Sequence, residues 1–289
     1  MMKKIMIATI MCIASTVVAP AQDRQLVILH TNDTHSTIYP LNATLSDTLV
    51  AGRGGFLRRI KMVEEERAKH PSLLLIDSGD FSQGSPYYNM YKGEVEVQLM
   101  NMMGYDVATI GNHEFDFGLE NMARLFRMAK FPIVCANYDF TGTAVEGLVR
   151  PYVIIKRDGV KIGIFGLSPA LKGLVFDHNC VGVRYLDPAK EALKWGDFLK
   201  KKKKCDVVIC VSHLGWEIGG EDDNYTFAKA RNIDLVLGGH SHTYFSDLEH
   251  VTDLDGKAIP LDQNGKHAVY VGKVTLNMNK KWSAARRGL

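Results

Sequence analysis

Two aspartates, five histidines and Asn112 stand in five short polar motifs, each behind an apolar run. Asn32-Asp33-Thr34-His35 follows LVILH. Asp33 and His35 are two apart, so in an extended stretch both point the same way and reach one ion. Gly79-Asp80 closes the next apolar run, and Gly111-Asn112-His113-Glu114 the third. Ser212-His213 ends VVICV, and Gly238-Gly239-His240-Ser241-His242 ends IDLVL. Taken singly, an Asp-x-His or a Gly-Asp is weak, because carboxylates commonly cap turns and helices. Together the motifs place five of the ten histidines at strand ends beside two carboxylates and an amide, which is metal-site chemistry rather than capping. Imidazole, carboxylate and one amide carbonyl without thiolate suit Zn, Mn, Fe or Co. The donors outnumber one tetrahedral ion, so two divalent ions sharing a carboxylate is the economical reading. Such ions, about 3.5–4 Å apart, generate hydroxide at neutral pH and clamp both ends of an in-line displacement at phosphorus.

The elements that must hold these donors alternate. Strands are expected at Leu26–His30, Leu73–Ile76, Val107–Ile110, Ile133–Cys135, Val207–Val211 and Ile233–Leu237, with a last strand-like stretch at Ala268–Leu276. Helical patterns fall on FLRRIKMVEEERAKH, stopped by Pro71, and on Val95–Met103, Leu119–Ala129 and Pro188–Lys204. Tyr152–Lys156, the Asp158-Gly159 turn and Val160–Leu167 read as an antiparallel hairpin. Such alternation predicts an α/β fold of mixed sheets covered by helices, whose ligand sites sit at the carboxyl ends of the strands.

With 289 residues, 46% of them hydrophobic, the chain can bury a substantial core. Lys3 and Lys4, the apolar run Ile5–Val18 and Ala19-Pro20-Ala21 read as a signal peptide over residues 1–21, cleaved after Ala21. That leaves 22–289 as the catalytic domain and implies a periplasmic or secreted protein. The first twenty-one residues contain no acid, so the remainder carries 33 basic against 32 acidic residues. This balance argues against nucleic-acid and membrane-surface partners. The five lysines at 200–204 fall at a predicted helix end, where cations complement the exposed carbonyls. Cys205 and Cys210 flank a strand, where they would lie about 16 Å apart on opposite faces, and read as buried hydrophobes.

NDTH, DSGD, GNHEFDFG, SHLG and GGHSHT, in this order, resemble the calcineurin-like metallophosphoesterases, and the long third motif resembles the 5′-nucleotidase/UDP-sugar hydrolase branch. The resemblance runs from about Leu26 to Leu276. It implies a four-layer αββα sandwich of two mixed β-sheets flanked by helices, the metallo-dependent phosphatase fold. It also implies one ion on Asp33, His35, Asp80 and His242 and another on Asp80, Asn112, His213 and His240, with Asp80 bridging. In many members of this branch glutamine stands at the position of His242. His113 matches the non-ligand catalytic histidine and Asp116 the acid that orients it, while Asn112 and His113 would face the substrate. Glu114 is expected to be structural. Full-length members carry a C-terminal substrate-specificity domain, which would begin within a few residues of Leu289. The expectation is that a separate chain supplies that domain or that this one works alone. The activity implied is 5′-nucleotidase-type hydrolysis of nucleoside monophosphates. The alternatives are a broader phosphodiesterase or nucleotide-sugar pyrophosphatase, and a non-catalytic nucleotide-binding protein.

Overall fold

The computed structural model describes residues 25–277 and 283–288, so the expected signal peptide lies outside the described residues. Chain order begins β1 (Gln25–Thr31), α1 (Phe56–Lys69), β2 (Leu74–Asp77), α2 (Pro86–Tyr91), α3 (Glu94–Met103), β3 (Val107–Ala108) and α4 (Gly118–Met128). It continues with β4 (Ile133–Val134), β5 (Tyr138–Asp139), β6 (Val149–Arg150), β7 (Tyr152–Arg157), β8 (Val160–Leu167), β9 (Arg184–Tyr185) and α5 (Pro188–Asp197). It closes with β10 (Val207–Ser212), α6 (Asp223–Phe227), β11 (Leu235–Leu237), β12 (Glu249–Thr252), β13 (Ala258–Asp262), β14 (Gly272–Asn277) and β15 (Ser283–Gly288).

Two large mixed sheets result. One has the order β15-β14-β1-β2-β3-β4-β6 and the other β12-β13-β11-β10-β8-β7. Within the first, β1, β2, β3, β4 and β6 run parallel. Within the second, β8, β10, β11 and β13 do. These strands are apolar on both faces, as sheets covered on both sides require. Leu26 and Ile28 of β1 meet Val207, Ile209 and Val211 of β10 in a layer between the sheets. Val27 and Leu29 point outward, onto Phe56 and Val63 of α1 and Met100 and Met103 of α3. Across the molecule, Val208 and Cys210 pack outward against Ala192 of α5 and Phe227 of α6. The four-layer αββα expectation therefore holds, and it rests on three separate apolar layers.

Local departures have local causes. The helix expected to reach residue 204 is α-helical only to Asp197 and ends in a π-turn over Phe198–Lys202. There Lys200 reaches Asp234 at 2.9 Å and Lys201 reaches Asp197 at 3.0 Å, so the basic run serves a helix end. Cys205 precedes β10 rather than belonging to it, so the two-residue alternation does not extend to it. It packs in the same outer layer as Cys210, contrary to the opposite faces expected, and both are free thiols. The strand expected from Ala268 begins only at Gly272, because Ala268 has φ +45°. β12 and β13 were not anticipated, since Pro260 weakens the strand pattern.

The sheets approach closely where Gly166 of β8 lies against Val134 of β4. A Cβ at Gly166 would sit 2.1 Å from the Val134 carbonyl oxygen and 2.6 Å from Thr109 Oγ1, and the Ala136 amide donates to the Gly166 carbonyl. Backbone cannot retreat cheaply there, so Gly166→Ala should cost about 1–3 kcal/mol. Urea unfolding should show a lower midpoint with an unchanged slope.

Candidate metal centre

All five motifs end up at one edge, where the carboxyl ends of β1, β2 and β3 meet those of β10 and β11. The first two loops run side by side: the amides of Asp33, His35 and Ser36 donate to the carbonyls of Gly79, Asp80 and Phe81, each at 3.0 Å. To turn two side chains from one loop into the same space, the backbone bends sharply. Asp33, His35, Asp80, His240 and His242 all have positive φ, between +43° and +72°. Five of the seven expected ligands thus occupy the left-handed region, which Asp and His tolerate better than most residues. Such strain, about 1–3 kcal/mol per residue, persists only where the surroundings enforce it.

The donors form two groups, Asp33 with His35 and His242, and Asp80 with His213 and His240, the ligand atoms of each lying within 4.8 Å of one another. Nε2 of His35 and Nε2 of His242 are 3.0 Å apart. Two nitrogens each bound about 2.1 Å from one ion at right angles would be separated by about 3.0 Å. His213 Nδ1 donates to the Ser78 carbonyl at 2.6 Å, which fixes the tautomer and leaves the Nε2 lone pair facing the site. That Nε2 comes within 3.1 Å of Asp80 Oδ2 without an aligned hydrogen bond. Asn112 Oδ1 is likewise buried with no hydrogen-bond partner. Buried, convergent and unpartnered acceptors suit divalent cations. Asp33 Oδ1 lies 3.4 Å from His242 Nε2 and 3.9 Å from both His35 and His213 Nε2, so Asp33 as well as Asp80 stands between the groups.

Electrostatics agree. Burial pushes the Asp33 and Asp80 carboxyls up, but neighbouring histidines, His213 foremost, hold both below the usual carboxylate range. His213 is pulled down by burial and pushed up by Asp80 and Asp33, reaching about 10. His240 is lowered to about 4 by burial and by His213. Two buried carboxylates demand positive charge, and a proton on His213 or bound cations can supply it.

His113 stands beside these groups, its ring 5.5 Å from that of His35. Its Nδ1 lies 3.1 Å from an Asp116 carboxylate oxygen, and its amide donates to Asp80 Oδ1. Burial lowers the His113 pKa, but Asp116 and Asp80 outweigh it and the net shift is upward. All nine expected residues thus meet at one place. Glu114 is a brace: one carboxylate oxygen accepts from the amides of Asp80 and Gly111, the other from Ser82. Gly111 has to be glycine, since a Cβ there would come within 2.1 Å of Asp80 Oδ1.

Three further residues escaped the sequence reading. Gln263 accepts from Ser241 Oγ and the Thr243 amide and donates to the Gly239 carbonyl, fixing the loop of His240 and His242. The signal was present, because Asp262-Gln263-Asn264 is another polar run behind an apolar strand, but the strand itself went unread. Glu96 on α3 accepts from Ser36 Oγ next to His35. His267, whose amide donates to the Asp33 carbonyl, sets its ring 5.8 Å from that of His35.

A family model described as calcineurin-like phosphoesterase matches residues 26–244. The 5′-nucleotidase of Homo sapiens is 31% identical over 302 residues, taking in 95% of this chain and 50% of that protein. That of Rattus norvegicus is 31% identical over 288 residues, 90% of this chain and 48% of its own length. The solved 5′-nucleotidase precursor from Thermus thermophilus superposes with a TM-score of 0.82 at 27% identity, covering 92% of this chain and 54% of that one. The chain spans about half the length of the curated relatives it matches.

Glu114→Ala would strand three buried amides. At about 1–3 kcal/mol for an unsatisfied buried group, the variant should lose several kcal/mol in chemical denaturation. Its amide exchange should rise first at Asp80, Ser82 and Gly111.

Proposed function

Since this chain belongs to the calcineurin-like phosphoesterase family, we propose that it is an exported phosphohydrolase with a dinuclear metal centre. In this reading it converts nucleoside monophosphates to nucleoside and phosphate. The observation that carries the reading is the meeting of two three-residue donor groups with the His113–Asp116 pair at one strand-end edge. Asp33, His35 and His242 would hold one ion, and His213, His240 and Asn112 the other, with Asp80 bridging. Zinc or manganese suits this imidazole and carboxylate set. Ions held there supply Lewis-acid stabilisation of phosphoryl charge and make a water acidic enough to react at neutral pH.

The chain's own side chains do the rest. Asn112 and His113 orient the phosphoryl group. Asp116 accepts from His113 Nδ1–H and, with Asp80, favours the protonated imidazolium, so Nε2–H can donate to the developing charge and to the leaving oxygen. Buried walls around Asp33 and Asp80 keep these interactions in a low dielectric, where they act more strongly than in water. The same groups serve a diester or a pyrophosphate, which keeps a broader phosphodiesterase or nucleotide-sugar pyrophosphatase as the second reading. The export part of the proposal rests on residues 1–21, whose charge and apolar run read as a cleavable signal. Among the described residues no helix is long and apolar enough to cross a membrane.

Manganese- or zinc-loaded protein should release phosphate from AMP, lose that activity in chelator and regain it on metal addition. Failure to turn over AMP, UDP-glucose and a cyclic nucleotide alike would refute the proposal. His113→Ala should keep two metals per chain by elemental analysis while turnover falls about 10²–10⁴-fold. Asp80→Ala should lose metal, and two full equivalents retained in that variant would exclude the bridging role.

A further inference from the structure

Asp262, Gln263 and Asn264 form one buried turn at the end of β13, and four donors of the metal centre lean on it. Gln263 holds the loop of His240 and His242 through Gly239, Ser241 and Thr243. The Asn264 amide donates to Asn32 Oδ1 at 3.0 Å, and Asn32 Nδ2 donates in turn to Asp33 Oδ2 at 2.7 Å. On the third side, Asp262 Oδ2 lies 3.0 Å from His30 Nδ1, and His30 Nε2 meets Ser78 Oγ at 2.8 Å. The Ser78 carbonyl is the acceptor that orients His213. The turn therefore reaches His240, His242, Asp33 and His213, while Asp262 itself belongs to neither donor group.

What holds the turn comes from the other sheet. Arg286 of β15 donates from Nε to Asp262 Oδ1 and from Nη2 to Asn264 Oδ1, the latter at 2.8 Å. Both side chains of the Arg286–Asp262 pair are fully buried. The guanidinium also lies 5.1 Å from the centre of the Tyr244 ring, two residues beyond His242. One planar cation thus grips both neighbours of Gln263, and a guanidinium does so as a rigid fork. Burial pushes the Asp262 carboxyl up, but His30, Arg286 and Asn264 hold it below the usual carboxylate range. A Cβ at Gly272 of β14 would come within 2.1 Å of Asp262 Oδ2, so the carboxylate has no room to turn away.

A buried ion pair is by itself weak evidence even for stability, since desolvation offsets the attraction. Its place is the informative part. Fixing a turn on either side of the residue that pins two donors transmits a position, and donor geometry depends on such supporting partners.

We propose that Arg286 is a positioning residue of the metal centre, acting through the turn Asp262–Asn264 to set the geometry of His240, His242, Asp33 and His213. This rests on the dinuclear phosphohydrolase reading above. Cobalt(II) is the probe, because it suits the same donors and its visible absorption follows their geometry. By chelator competition, Arg286→Gln should bind cobalt about 10–100-fold more weakly than wild type, the usual cost of losing a partner behind a ligand, with a shifted visible spectrum. Arg286→Lys keeps the charge but not the second bond to Asn264, and should fall between the two. Gly166→Ala, which strains the sheets away from the turn, should lower stability without moving the affinity or the spectrum. Wild-type affinity and spectrum in Arg286→Gln overturn the proposal, as does an equal loss in Gly166→Ala. If Arg286→Gln does not fold, Arg286→Lys decides by the same two readouts. Wild-type protein that binds no cobalt refutes the metal centre and this proposal with it. Failure to hydrolyse phosphate esters with cobalt bound refutes the hydrolase reading alone, because the binding assay uses no substrate.

Discussion

Two carboxylates, Asp33 and Asp80, are buried almost completely and face one cluster of imidazoles. Removing two like charges from water is unfavourable unless positive charge and hydrogen bonds answer them. His213, His242 and His35 lie within 4 Å of these carboxylates, and the amides of His240 and His113 donate to them. The arrangement is one of charge balance before it is one of catalysis. A site built to neutralise two buried anions is also one that holds cations in place of protons.

That constraint explains the strained backbone. Side chains must converge from five loops, so the chain turns through left-handed conformations at the donors themselves. The strain is sustained by bracing from residues that touch no substrate in the proposed chemistry. Glu114 ties the second loop to the third, and Gln263 fixes the fifth. Beneath them, His30 of β1 bonds Ser78 on one side and Asp262 of β13 on the other, so a buried polar chain joins the two sheets below the donors. Arg286 of β15 pairs with the same Asp262 and with Asn264.

The outer rim follows a different logic. Around the donors the walls are charged or hydrogen-bonded and rigid. Past His35 they become neutral and aromatic, with Tyr39 and Tyr87 at the mouth.

Residue order alone marks the donors and their places along the chain. A polar residue behind a run of Val, Ile and Leu is a local pattern, and strand ends are local structures. Helices α1, α3 and α4 and the β7–β8 hairpin were legible for the same reason. Tertiary packing settled what depends on neighbours distant in sequence. β14 adds to β1 and β13 to β11 through pairings no local pattern encodes, and this is what brings Gln263 to the site. Cys205 turned to the layer of Cys210 because the strand starts after it. Asp33 came to stand between both donor groups because loops from the two sheets converge on it. Residue types fix which bonds a side chain can make, but contacts between segments far apart in the chain fix which of them it does make.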